Sequence, residues 1–248
     1  LDLSQTTLNS YSENGTAGDV TLSATGNISL GGDATNSAIR SEGAQVGGNI
    51  SITSDTGTIT AAGDFNSYSQ NGTAGNVSLD AAGNISTQNI RSEGSLVGGN
   101  IDITSDNGKI TAVNLNSYSQ NGTAGNVSLD AAGNISTQNI RSEGAQVGGN
   151  IDITTDGSYS GSTINSYATT ATTGEAGDVS ITAEGNITLG GDANNSAIRS
   201  EGAQVGGNIS ITSNSGAISA AGDFNSFSQN GTAGNVSLDA AGNISTQN

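Results

Sequence analysis

The sequence has no cysteine, proline, methionine, tryptophan or histidine, and only 3% of it is aromatic. Without cysteine no disulfide can staple it. Without thiol or imidazole it lacks the usual ligands of zinc, copper and haem, and the commonest nucleophiles and bases. Basic residues are also scarce. Five Lys plus Arg stand against 22 Asp plus Glu, for a net charge of -17. A phosphate backbone would meet a repulsive surface, so no nucleic-acid partner is expected. No apolar run reaches the length of a transmembrane helix. No secretory leader is recognisable, and the chain starts and stops within a repeating pattern, as expected of an excerpt from a longer protein. Low hydrophobicity with high net charge would suggest disorder. Against that, only 11% of the 248 residues are charged, and the apolar ones recur in register.

The recurrence is an internal repeat. Gly-(Asn/Asp)-(Val/Ile) precedes an alternating segment nine times, with its apolar residue at Val20, Ile50, Val77, Ile101, Val127, Ile151, Val179, Ile209 and Val236. Consecutive spacings are 30, 27, 24, 26, 24, 28, 30 and 27 residues. An intact motif at a variable spacing implies coils of one shape joined by loops of different size. A longer period overlies it: residues 66–104 recur at 116–154 with two differences, Ser95/Ala145 and Leu96/Gln146, so two kinds of coil alternate. Within a coil, Val77-Ser78-Leu79-Asp80-Ala81 alternates apolar and polar residues, the signature of a strand with one face buried. A glycine bend, a second short strand and a third strand carrying Ile-Arg-Ser-Glu or Ser-Tyr-Ser-Gln follow.

Three such strands cannot bury an apolar face alone, but stacked coils can. The expected fold is therefore all-β: a right-handed parallel β-helix, or β-solenoid, of about nine coils of 24–30 residues with three short strands each. Residues 1–248 form one continuous segment of it.

Stacking turns equivalent residues into columns. One is an Asn ladder: Asp19, Asn49, Asn76, Asn100, Asn126, Asn150, Asp178, Asn208 and Asn235. On the third strand an outward column is expected to read Tyr11, Arg40, Tyr68, Arg91, Tyr118, Arg141, Tyr167, Arg199 and Phe227, with guanidinium groups stacked between rings. Glu42, Glu93, Glu143 and Glu201 follow each Arg by two residues and can pair with it. Intervening residues such as Ser12, Ser41, Ser69 and Ser92 would point inward as one column. The ladder is read first as glue between coils and second as a sugar-stacking surface.

Other chemistry is thinner. Acids follow the repeat instead of gathering at one irregular place, so no enzyme is expected. Asp80, Asp102, Asp130 and Asp152 lie on successive coils as weak calcium candidates. Their diagonal spacing is long for ligands that need oxygens at about 2.3–2.6 Å, and no other cofactor is indicated. Ser and Thr such as Thr21, Ser23, Ser210 and Thr212 make a hydroxyl-rich face that could order water, the basis for an ice-binding alternative. Loop asparagines in sequons, including Asn14 and Asn71, are candidate glycan acceptors.

Gly-Thr-Ala-Gly-Asn-Val-Ser-Leu (72–79), Asn-Ile-Arg-Ser-Glu-Gly (89–94) and Gly-Gly-Asn-Ile-Ser-Ile-Thr (47–53) resemble the repeat region of filamentous-haemagglutinin-like exoproteins of the two-partner secretion type, cyanobacterial forms in particular. The resemblance covers essentially the whole chain. It implies a β-helical shaft, bacterial secretion to the cell surface or exterior, and roles in adhesion or surface filaments. The family's secretion domain carries an Asn-Pro motif, and this chain has no proline. The segment therefore resembles shaft only, and no receptor-binding residue carries over. The expected function is that of a structural extracellular shaft, self-associating end to end. The alternative is a carbohydrate- or cell-binding module using the Tyr/Arg face.

Overall fold

The computed structural model describes residues 1–32, 37–191 and 196–246. All regular elements among them are strands, arranged in a nine-stranded and a seventeen-stranded sheet. The protein is a parallel β-solenoid. Its first strands, from Val20–Ala24 to Val236–Ala240, stack in chain order into the nine-stranded sheet. All nine motif residues stand in one register, Val20 on Ile50 on Val77 and so on to Val236.

Second and third strands make the larger sheet. The second contributes the column Ile28, Ile59, Ile85, Ile110, Ile135, Tyr159, Ile187, Ile218, Ile244. The third contributes Leu8, Ile39, Phe65, Ile90, Leu115, Ile140, Ile164, Ile198 and Phe224. In two coils the second and third strands run together, as Ile110–Ser119 and Ile135–Gly144, where three separate strands per coil were expected. Local sequence does not decide this, because 85–94 is identical to 135–144 and yet divides into Ile85–Ser86 and Ile90–Gly94.

Alternation sends Ile, Val and Leu into a thin core that runs the length of the molecule, with Ile50, Ile101, Ile140 and Ile187 fully buried. Apolar lies on apolar, so each core side chain packs against one of similar kind above and below, such as Ile50 between Val20 and Val77.

Serine closes the inner corner. Ser67, Ser92, Ser117, Ser142, Ser166 and Ser226 each donate a hydroxyl to a glycine carbonyl of the preceding coil and accept a glycine N–H from their own. A buried backbone carbonyl and a buried N–H are thereby satisfied together. The expected single column of Ser12, Ser41, Ser69 and Ser92 divides into two. Ser41 and Ser92 align with Ser10 and Ser67, whereas Ser12 and Ser69 align with Gly43 and Gly94.

Candidate functional site

The outward face of the third strand concentrates the side chains with distinctive chemistry. Here the register departs from expectation by two residues. Core packing seats Ile90 on Phe65 and Leu115, which places Arg91 on Asn66 and Asn116, and Glu93 on Tyr68 and Tyr118. The nine residues Tyr11, Arg40, Tyr68, Arg91, Tyr118, Arg141, Tyr167, Arg199 and Phe227 therefore form two columns, not one. Arginine alternates with asparagine: Asn9, Arg40, Asn66, Arg91, Asn116, Arg141, Asn165, Arg199, Asn225. The aromatics alternate with glutamate: Tyr11, Glu42, Tyr68, Glu93, Tyr118, Glu143, Tyr167, Glu201, Phe227.

Arginine still reaches the rings, on the diagonal. The Arg141 guanidinium lies 5.5 Å from the Tyr118 centroid, and that of Arg199 lies 5.6 Å from Tyr167. Its stronger partner is the glutamate two residues on. Arg40 makes a two-pronged contact to Glu42 at 2.9 and 2.6 Å, Arg199 pairs with Glu201 at 2.8 Å, and Arg141 pairs with Glu143. The bond to Glu42 pushes the Arg40 guanidinium above its ordinary range. Arg91 differs. Among the described residues it has no ion pair, and Glu93 instead accepts Asn116 Nδ2 at 2.6 Å. Beside it, Asn66 and Asn116 each bury an Oδ1 with no hydrogen-bond partner.

An open cavity of about 600 Å3 lies on this face, lined by Arg40, Glu42, Asp64, Asn66, Tyr68 and Arg91 among others. Asp64 is almost fully buried and accepts both the N–H and the Nδ2 of Asn89, at 3.1 and 2.9 Å. A smaller recess of about 250 Å3 continues beyond Arg91 as far as Arg141.

The Asn ladder lies where expected; backbone N–H groups are its main donors, joined by side-chain Nδ2 at Asn49 and Asn208. Each side-chain Oδ1 accepts the backbone N–H of the next coil, from Asn49 N to Asp19 Oδ1 at 2.8 Å through to Asn235 N to Asn208 Oδ1 at 2.9 Å. Two further ladders escaped sequence reasoning. Asn27, Asn84, Asn134 and Asn186 accept backbone N–H groups from the following coil. At the other corner, Asn89, Asn114 and Asn139 bond amide to amide, ending on Asp64 below and Thr163 above. The signal for the first was present in Gly-Asn-Ile after each alternate bend.

Asp80, Asp102, Asp130 and Asp152 sit on the nine-stranded sheet in a zigzag, Asp80 and Asp130 against Thr104, and Asp102 against Ser78 and Ser128. They are not brought together, and no group of three or more metal-ligating side chains occurs among the described residues. Partial burial raises the pKa of Asp102 above the usual carboxylate value. It does the same at Asp152, where Asp178 adds repulsion. No family model, curated protein or solved structure matches the chain.

Proposed function

We propose that this chain is the shaft of an extracellular bacterial adhesin or fibre, of the kind its repeats resemble, and that further coils stack on its ends. The supporting observation is the unbroken register of the nine-stranded sheet, in which each coil rests on its neighbour through alternating Val and Ile core residues and through bonds to Asn or Asp side chains. Such a structure resists bending because its hydrogen bonds run along its length. Its acidic surface keeps it hydrated and apart from other anionic polymers. Strand edges at an end coil template another coil, of the same chain or of a second copy.

Negative-stain electron microscopy of the purified chain tests this reading. Rods about 45 Å long, or filaments built from them, are expected for nine coils at about 4.8 Å each. Compact spheres would refute it. Detection of the native protein in cytosol alone, on fractionation of its source cells, would refute the extracellular placement.

A further inference from the structure

We propose that the third-strand face carries a binding groove for a neutral, linear oligosaccharide, centred on Arg91 and Tyr68. This site is independent of the shaft reading, since a rod stays stiff with its groove empty. The cavity of about 600 Å3 falls within the roughly 300–1,000 Å3 typical of small-ligand sites. Arg40, Glu42, Asn66, Tyr68, Arg91 and Glu93 in its lining all stand on strands, so core packing fixes that wall.

Three features define the ligand. The first is unused hydrogen-bonding capacity. Arginine offers five N–H donors. Arg40, Arg141 and Arg199 engage the glutamate two residues on, while Arg91 does not, because Asn116 holds Glu93. The carboxylates of Glu42 and Glu93 line the same groove, so donors and acceptors stand side by side, as a polyhydroxylated ligand requires.

The second feature is charge. Two guanidinium groups in the groove face three carboxylates, Glu42, Asp64 and Glu93, in a chain of net charge -17. An anionic polymer is disfavoured there, and a simple cation would compete with two resident ones. A neutral ligand meets neither penalty. The third is shape. The exposed ring of Tyr68 offers an apolar surface to the C–H face of a sugar. Arginine returns every second coil, roughly 9.6 Å along the axis, and the recess beyond Arg91 prolongs the groove in that direction. An extended chain follows this line; a compact ligand does not.

Saturation-transfer NMR and calorimetry on the whole chain test the proposal, with short glucose-, galactose-, mannose- and N-acetylglucosamine-based oligosaccharides as probes and an oligouronate as the charged comparison. At least one neutral series should bind with Kd on the order of 1 mM or tighter. Arg91→Ala and Tyr68→Ser should each weaken it about tenfold or more, whereas Ser210→Ala, on the opposite sheet, should leave it unchanged. Circular dichroism verifies folding of each variant, and Arg91→Lys, which keeps the charge with fewer donors, replaces Arg91→Ala should that one misfold. Failure of every neutral probe, binding that survives the substitutions, or preference for the oligouronate overturns the proposal. Rods seen by microscopy would stand in each of those cases.

Discussion

Ser92 shows how much one hydroxyl carries in this molecule. It is fully buried, donates to Gly75 O at 2.7 Å and accepts Gly99 N–H at 2.9 Å. Ser92→Ala strands both backbone groups without water, and should cost about 2–3 kcal/mol in denaturant unfolding, against roughly zero for Ser78→Ala on the outer face. Carboxylates predict a pH effect. Asp102 and Asp152 hold protons more tightly folded than unfolded, so stability falls as pH rises from the ordinary carboxylate value through their raised ones. The thermal midpoint should therefore be higher at about pH 4, near the ordinary carboxylate value, than at about pH 7, and Asp102→Asn should flatten the difference. Asp2, held low by Ser4, acts oppositely and at lower pH. A midpoint that drops on mild acidification would contradict this account. At this scale the Asn ladder was legible because a polar residue at a fixed place in every coil has few other uses. That its Oδ1 would meet a backbone N–H was not, since that depends on which way the amide turns.

Within single coils, the stretch 156–161 breaks the repeat, and the structure shows why. Tyr159 takes the core position held by Ile135 and Ile187, and its hydroxyl bonds Thr137 Oγ1 at 2.9 Å. Gly161 sits where the next coil has Leu189, and a Cβ there would lie 2.3 Å from the Tyr159 oxygen. A large residue and a small one thus compensate. Gly161→Leu alone should destabilise by about 2–3 kcal/mol, and adding Tyr159→Ile should recover most of the loss, a coupling that a double-mutant cycle measures. A similar contrast separates the corner glycines. A Cβ on Gly99 would meet Gly75 O at 2.3 Å, whereas one on Gly26 meets nothing within 4 Å. Gly99→Ala should therefore lower the thermal midpoint by several degrees or prevent folding, and Gly26→Ala should be neutral or mildly stabilising. The strands themselves were legible from alternation. The third-strand register was not, because a slip of two residues keeps every side chain on its own face. Matching Arg91 to Tyr68 satisfies the pattern as well as matching it to Asn66. Only the depth of Ile90 and Phe65 in the core decides between them.

For the whole molecule, the repeat foretold the stacking, the two alternating kinds of coil and an all-strand architecture among the described residues, because each coil contacts chiefly its neighbours. The groove around Arg91 was beyond reach, since it depends on which of four chemically similar arginines loses its glutamate to an asparagine. The same one-dimensional arrangement has a mechanical consequence. Load applied at the two ends pulls across coil-to-coil bonds that face it one layer at a time, so the molecule should yield in steps and not all at once. Each released coil of 24–30 residues frees roughly 80–105 Å of extended chain. In force spectroscopy the protein would behave as a dissipative tether, paying out slack in a regular sawtooth and protecting whatever it connects from sudden strain.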